Sequence, residues 1–180
     1  MVKKSRTSKR INILEGILAI MEEHEMFCEI VSRKNDTENQ IQKALFLRLQ
    51  KELPQLLVER LGISIKKAQY QVDKQFKWEQ NTKTTVSNFP FFSTNHRPDA
   101  VFIPYNNLRI AFEIKKGNNG NALRSGIGQS IVYSTQFDFV LYFFVDTSPG
   151  CDIKSNSSAK KEKELIYSLW NNYNIKFIIV

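Results

Sequence analysis

The sequence contains no long apolar run. No stretch approaches the roughly 20 apolar residues that a helix needs to cross a bilayer, so we expect no membrane contact. The first ten residues are basic, but the apolar stretch that follows them is interrupted by Asn12, Glu15 and Gly16. A signal peptide has an uninterrupted apolar region, and we therefore expect none here and a cytoplasmic location.

Cysteine and histidine are also scarce, with two of each among 180 residues. Cys28 and Cys151 lack the paired spacing of a metal site, so we expect free thiols in a reducing cytoplasm; a single disulfide between them stays open. His24 has no partner pattern. His96 lies just before Pro98, where we expect a surface or supporting position rather than the catalytic base. Internal repeats and low-complexity tracts are absent as well.

Acidic residues are outnumbered, 18 against 26 lysines and arginines, which gives a net charge of +8 and a pI near 9.5. Such a balance attracts polyanions, of which nucleic acid is the commonest; the alternative is that the lysines only maintain solubility. Five basic residues crowd the first ten positions. We expect residues 1–9 to form a disordered tail, either an arm that grips phosphates or a solvated terminus.

The length and the 42% hydrophobic content fit one domain with a substantial core. Periodicity predicts helices over residues 11–31, 37–61, 122–134 and 159–173, and a loop over residues 148–158. It predicts strands within residues 70–78, 100–103, 108–114, 137–146 and 175–180, with a further antiparallel excursion over residues 82–97. Within the second helix Pro54 either introduces a kink or divides it, and Gly62 ends it. The order predicts an α/β fold around a mixed sheet, with an N-terminal accessory helix in residues 10–35 and a core in 36–180.

The most informative motif is Pro98-Asp99 followed by Glu113-Ile114-Lys115. Between the two parts lie two runs of β-formers separated by a Tyr-Asn-Asn stretch, residues 105–107, which predicts a hairpin. Pairing of its strands would bring Asp99 close to Glu113. Glu113 interrupts an apolar run in which an unpaired charge is costly, so a functional cluster explains it better than the simple alternative of an exposed strand pair.

Two carboxylates beside an ammonium form a site for a hard divalent cation. In a basic protein, this chemistry points to hydrolysis of phosphodiesters. Lys115 lies two residues from Glu113 and therefore on the same strand face. It would stabilise charge on the reacting phosphate or, if its pKa were lowered, act as a general base.

On these residues the chain resembles the PD-(D/E)XK nuclease superfamily, which includes restriction endonucleases, Holliday junction resolvases and RecB-type exonucleases. The resemblance implies a restriction-endonuclease-like core in the order αβββαβ, with Mg²⁺ (or Mn²⁺ in its place) as cofactor. It implies that Glu38 on the first core helix joins Asp99 and Glu113 as a metal ligand. It also implies a catalytic role for Gln129, which with Tyr133 resembles the Gln-x-x-x-Tyr element of the RecB-type branch.

Three residues are candidates for contact with nucleic acid: Lys116, Arg124 and Tyr133. The leading hypothesis is a Mg²⁺-dependent endonuclease of restriction or defence type that cuts DNA as a homodimer. One alternative is a structure-specific repair or recombination nuclease. The other is an inactive nuclease-like module that only binds nucleic acid, which would be expected to lose part of the acidic–lysine set.

Overall fold

The fold is described by a computed structural model covering residues 8–23, 26, 29–30, 32–33, 35–79, 81 and 85–180. The helices within these ranges are α1 (Ser8–Met21), α2 (Glu38–Leu61), α3 (Ile65–Gln75), α4 (Gly120–Ser134), α5 (Asp152–Asn156) and α6 (Lys160–Tyr173). The strands are β1 (Phe76–Trp78), β2 (Phe89–Phe91), β3 (Thr94–His96), β4 (Ala100–Phe102), β5 (Ile110–Gly117), β6 (Phe139–Asp146) and β7 (Ile175–Ile179). A short 3-10 turn spans Pro149–Cys151. None of the described helices combines the length and the apolar character needed to cross a membrane.

Five strands form one mixed sheet in the order β1-β4-β5-β6-β7. Neighbours are antiparallel from β1 to β5 and parallel from β5 to β7. Every residue of β6 is buried, as expected for an apolar strand that is covered on both faces. The α/β class with a mixed sheet, predicted from the order of elements, is confirmed.

Helices cover the two faces of the sheet and create two apolar cores. The larger core packs α1, α2 and α3 against one face, which includes Phe112 and Ile114 of β5. The second core packs α4 and α6 against the other face, which includes Ala111 of β5 and Tyr142 of β6. Side chains alternate along a strand, so Glu113 and Lys115 share the face of Ala111, beneath α4.

Helix α2 begins and ends where the sequence predicts. Thr37 and Gln40 form a capping box, in which the Gln40 amide donates to the Thr37 hydroxyl (3.3 Å) and the Thr37 amide donates to the Gln40 side chain (2.8 Å). Gly62 closes the helix with a left-handed φ of 66°. Pro54 lies inside a continuous helix rather than dividing it. The cap fixes Glu38 as the first helical residue.

Several sequence-based boundaries are wrong. Residues 70–75, expected to begin a strand, belong to α3, whose buried residues, Ala68 and Val72, recur at helical spacing. Residues 148–158 contain a 3-10 turn and α5 rather than a loop alone. Helix α1 already includes Ser8 and Lys9, which belong to the expected disordered tail, and it ends at Met21 rather than at residue 31, although Met26, Glu29 and Ile30 are again helical. The rest of that tail, residues 1–7, lies outside the described residues, as do Cys28, His24 and residues 82–84.

The predicted hairpin is confirmed, with β4 antiparallel to β5 and Ala100 opposite Phe112. The predicted excursion before it contains a separate two-stranded sheet of β2 and β3. Helix α4 lies unusually close to the main sheet at Gly126. A Cβ added at Gly126 would lie 2.4 Å from the Tyr142 ring, so only glycine permits this approach.

Candidate active site

The candidate site lies where β5 extends beyond its neighbour β4. Pairing of the two strands stops at Ala100 and Phe112, and the Asp99 amide donates the next hydrogen bond, to the Phe112 carbonyl (3.1 Å). From Glu113 to Gly117, β5 therefore has no β4 partner on that side. Its backbone amides on this edge need other acceptors.

Two carboxylates supply those acceptors. The Ile114 amide donates to Oδ2 of Asp99 (2.7 Å), and the Lys116 amide donates to Oε2 of Glu38 (2.9 Å). Amides two residues apart point to the same side of a strand, so Asp99 and Glu38 line up along one edge of β5. Charge-assisted bonds of this kind are stronger than neutral ones, and they fix the position of each carboxylate.

Lys115 joins the acidic residues into one cluster. Its Nζ lies 3.0 Å from Oε1 of Glu113 and 3.5 Å from Oε1 of Glu38. Glu113 is only 1% exposed and Asp99 is 8% exposed. The structure thus brings together Glu38, Asp99, Glu113 and Lys115, all four of which were predicted from the sequence.

The carboxylates repel each other in a poorly solvated setting. Burial raises the pKa of Asp99 to about 6, against the lowering effects of the Ile114 amide and Lys115. Burial and the Asp99 charge raise the pKa of Glu113 to about 8, more than the nearby Lys115 ammonium lowers it. A positive charge added beside Asp99 and Glu113 would lower the pKa of both carboxyl groups.

Lys115 remains charged. Burial acts to lower its pKa, but Glu113, Asp99 and Glu38 outweigh burial and raise the pKa above its ordinary value. A lysine in this environment holds its proton at neutral pH. This favours the role of charge stabiliser over that of general base, the two alternatives that the sequence left open.

The donor set fits a hydrated Mg²⁺ ion. Among the described residues, no group of three or more His, Cys, Asp or Glu side chains is arranged to hold a metal. Mg²⁺ is commonly bound through one or two carboxylates and keeps several waters, and the adjacent pair of Asp99 and Glu113 meets that requirement. Glu38 makes its contacts with Lys115 and Lys116 instead, and its role as a metal ligand stays a prediction.

Tyr133 on α4 holds the segment that leads to Asp99. Its hydroxyl donates to the Arg97 carbonyl (2.9 Å), two residues before Asp99. Burial raises the pKa of Tyr133, and the charges of Glu113 and Asp99 raise it further, so the hydroxyl keeps its proton. Tyr133 is 1% exposed, which does not leave its side chain available for the nucleic-acid contact that we expected.

Gln129 lies one helical turn before Tyr133, on the same face of α4. Its Oε1 is buried and, within the part of the chain that the structure describes, has no hydrogen-bond partner. Leaving a buried acceptor unsatisfied costs about 1–3 kcal/mol. Such an atom is suited to accept a hydrogen bond from a water or a substrate group, and the catalytic role of Gln129 stays a prediction.

The predicted phosphate contacts are not drawn into the cluster. The Lys116 Nζ donates to the Asp36 carbonyl (2.7 Å), which ties β5 to the start of α2. Arg124 is exposed, and its guanidinium donates to the side chain of Asn121. His96 packs against the aromatic rings of Phe89 and Phe91, in keeping with a supporting position.

Sequence reasoning did not single out Glu79 or Arg97 as neighbours of Asp99. The Glu79 amide donates to the Asp99 carbonyl (3.1 Å), and its carboxylate contributes to the raised pKa of Asp99. Arg97 forms an ion pair with Glu79. No sequence spacing indicates this contact, because it depends on the pairing of β1 with β4.

No protein-family model matches this chain, and no curated protein matches it.

Proposed function

We propose that the protein is a Mg²⁺-dependent nuclease that hydrolyses phosphodiester bonds in DNA. One observation carries the proposal: the buried carboxylates of Asp99 and Glu113 lie together, with the Lys115 ammonium 3.0 Å from Glu113. A purely structural role explains this arrangement poorly, because two adjacent buried carboxylates beside one ammonium can ionise together only against burial and mutual repulsion, which raise the pKa of both.

Each residue of the cluster has a distinct task in this proposal. Asp99 and Glu113 would hold Mg²⁺, which when bound polarises the phosphate and lowers the pKa of a water. Lys115 stabilises negative charge that develops on the phosphate oxygens. Glu38 holds the Lys115 ammonium from the far side and braces the β5 edge through the Lys116 amide.

The arrangement of elements supports the same proposal. Helix α2 precedes the antiparallel strands β1, β4 and β5, and α4 then leads to the parallel strand β6. This order is compatible with the αβββαβ core of restriction-endonuclease-like proteins, and we include that fold in the proposal. The net charge of +8 suits a DNA substrate, and cleavage of both strands would involve a homodimer.

A second candidate is a structure-specific nuclease of repair or recombination. Gln129 and Tyr133 favour it, since they lie on one face of α4 and Tyr133 contacts the segment that carries Asp99. Cleavage rates on linear, branched and single-stranded DNA separate the two candidates. Cleavage at one specific duplex sequence favours the restriction-type endonuclease. Faster cleavage at a junction or a free end favours the structure-specific nuclease.

The proposal is tested by cleavage of duplex DNA in Mg²⁺ by the wild type, Asp99→Ala and Lys115→Ala. We expect each variant to lose at least about 100-fold in rate, the usual effect of removing a preorganised charge from a reacting centre. The matched controls are Asp73→Ala and Lys67→Ala on the exposed face of α3, which should retain wild-type rates. Equal cleavage by wild type and both site variants would reject the proposal. Calorimetry that finds no Mg²⁺ or Mn²⁺ binding would instead support a module that only binds nucleic acid.

A further inference from the structure

The tip of the β2–β3 hairpin displays an aromatic ring. Phe91 pairs with Thr94, so Phe92 and Ser93 alone form the turn. Both adopt left-handed backbone conformations, with φ of 48° and 59°. Phe92 is 90% exposed, more than any other large apolar side chain among the described residues.

Neither local stability nor burial explains phenylalanine at this position. Two-residue hairpin turns with positive φ at both positions favour asparagine and glycine, and a bulky residue at positive φ is sterically unfavourable. The ring gains little from burial in return, since it stays exposed; it packs edge-to-face against Phe91, with ring centroids 4.8 Å apart. Strained residues that display a side chain to solvent are more common at functional sites than elsewhere.

The base of the hairpin is fixed to the candidate active site. Phe89 packs against Tyr133 and Phe137, with ring centroids 6.0 and 6.2 Å apart. The Tyr133 hydroxyl holds the Arg97 carbonyl, and the chain then runs directly into Asp99. The hairpin and the carboxylates therefore share one support, and the position of the tip relative to the site is set by packing.

The reach of the hairpin can be compared with the spacing of nucleotides. From Phe89 to Phe92 the chain advances three residues, about 10 Å at the usual rise of a strand. Successive nucleotides along one DNA strand are about 3.4 Å apart. The tip therefore projects about three nucleotides from its base beside the site.

We propose that Phe92 inserts between bases of the DNA bound at the carboxylate site, within several nucleotides of the bond that is cut. The inference rests on the proposed function for the identity of the partner. Apolar side chains inserted at a base step unstack the bases and bend the duplex, and an aromatic ring stacks on bases of any sequence.

The composition of the hairpin favours nucleic acid over other partners. Residues 85–98 contain no aspartate or glutamate, and their one basic residue, Arg97, forms an ion pair with Glu79. The segment therefore presents no negative charge of its own, and in a chain with a net charge of +8 phosphates can approach. A single projecting ring is small for a protein interface, which needs an apolar patch of several hundred Å². It matches one base in size.

The test uses duplex DNA with 2-aminopurine placed singly at successive positions around the cleavage site. Binding is measured with Ca²⁺ in place of Mg²⁺, so that the bond is not cut. We expect wild type to increase the fluorescence at one step within several nucleotides of that bond. Phe92→Asn should abolish the increase and raise the Kd about tenfold or more, the effect of removing one stacked aromatic ring. Phe92→Trp should retain both properties.

Two controls keep folding separate from recognition. Phe92→Asn should unfold at the same temperature as wild type or a higher one, because asparagine tolerates the left-handed conformation better than phenylalanine. Tyr167→Ala removes another exposed aromatic ring, on α6, and should leave the fluorescence and the Kd unchanged.

Each remaining outcome is decisive. If Phe92→Asn matches wild type in Kd and in fluorescence, the insertion is rejected. It is also rejected if the variant loses binding to lipid vesicles or self-association while its binding to DNA is intact. Hydrolysis of bis(p-nitrophenyl) phosphate in Mg²⁺ tests the carboxylate site separately. If Phe92→Asn loses the fluorescence response but wild type hydrolyses no ester, the insertion of the ring is supported. In that case only the proposed nuclease activity is rejected.

Discussion

At the scale of single residues, the site depends on Glu113, a carboxylate placed inside an apolar strand. Its neighbours Phe112 and Ile114 are buried in the larger core, while its own side chain faces Asp99 and Lys115. Burial and Asp99 together raise its pKa to about 8. A bound cation would keep this carboxylate ionised at neutral pH, so metal binding and proton release are coupled.

The first prediction concerns stability against pH without metal. The folded-state pKa of Glu113, about 8, lies above its unfolded value of 4.5, and that of Asp99, about 6, lies above 3.8. The unfolded chain therefore loses these protons first, so the stability they contribute is complete below pH 4 and is lost as pH rises through about 6 and 8. Thermal unfolding in EDTA should show a Tm that falls between pH 6 and pH 8.5. Replacing EDTA by Mg²⁺ should raise the Tm more at pH 8.5 than at pH 6.

Glu113→Gln provides the comparison for this prediction. The variant cannot ionise at position 113, so its Tm should fall less with pH than that of wild type, and Mg²⁺ should have little effect on it. The difference between the two proteins isolates Glu113 from other titrating groups. Identical pH profiles in EDTA would contradict the raised pKa.

The second prediction concerns Glu38, which braces both Lys115 and the β5 edge. Glu38→Ala leaves the Lys116 amide without its carboxylate acceptor, so we expect a loss of about 1–2 kcal/mol in the free energy of unfolding. It should also lower kcat more than it raises KM, because Lys115 loses one of its two carboxylate contacts. Urea unfolding and steady-state cleavage measure the two effects.

Glu162→Ala is the matched control for Glu38→Ala. Glu162 also lies in the first turn of a helix, α6, and gains the same stabilisation from the helix dipole. It is exposed. A loss of stability as large in Glu162→Ala as in Glu38→Ala would show that the contacts with β5 contribute nothing.

At the scale of elements, the site is built from the mismatch in length between β4 and β5. The overhanging edge of β5 takes its acceptors from a turn residue, Asp99, and from a helix N-terminus, Glu38. On the sheet face that carries Glu113 and Lys115, α4 approaches closely at Gly126 and brings Tyr133 next to the cluster. Glu113 and Glu38 are thus positioned by a strand and a helix, and Asp99 lies one residue before β4.

The third prediction tests the close approach of α4. In Gly126→Ala the new Cβ would lie 2.4 Å from the Tyr142 ring, so α4 must shift. We expect a loss of about 1–3 kcal/mol in the free energy of unfolding, with a loss of cleavage rate as Tyr133 moves. Gly128→Ala meets open space and should stabilise the protein by up to about 1 kcal/mol. Urea unfolding of both variants measures the contrast, and equal effects would contradict the packing described here.

The sequence predicted elements well where the signal is local. The Thr37 cap, the hairpin turn at residues 105–107 and the apolar β6 each carry their own pattern of side chains. The pattern over residues 70–78 gave a wrong prediction because α3 has only two buried residues and passes directly into β1, so alternation and helical spacing overlap. The residue types in this segment therefore did not distinguish a strand from a helix.

The part of the candidate site that local sequence patterns encode was predicted, and the part that depends on tertiary contacts was not. Asp99, Glu113 and Lys115 stand out because a hairpin brings the start of one strand to the end of the next. The bond from the Lys116 amide to Glu38, the burial of Tyr133 and the approach of Glu79 to Asp99 depend on where strands stop and how they pair. Such contacts are set by tertiary packing, which no short motif encodes.

At the scale of the whole molecule, the excess of basic residues favours a polyanionic partner for the proposed nuclease. The net charge is +8, which attracts phosphates, whereas the acidic cluster would need a bound cation before a phosphate could enter it. This separation of long-range attraction from local repulsion explains why DNA binding and metal binding should cooperate.

The fourth prediction follows from the net charge. Binding to duplex DNA should weaken at least tenfold between 50 and 200 mM salt, because each phosphate contact releases counterions. Fluorescence anisotropy with a labelled duplex in Ca²⁺ measures the change. Affinity that is independent of salt would contradict binding through phosphates.

The central claim is that Asp99 and Glu113 hold the cation that cuts DNA. It is tested most directly by the initial rate at which the protein converts supercoiled plasmid into nicked or linear DNA in Mg²⁺. We predict cleavage by wild type that EDTA abolishes and that Asp99→Asn reduces at least about 100-fold, with Asp73→Asn unaffected. Cleavage that proceeds equally in EDTA, or equally in Asp99→Asn, would contradict the account.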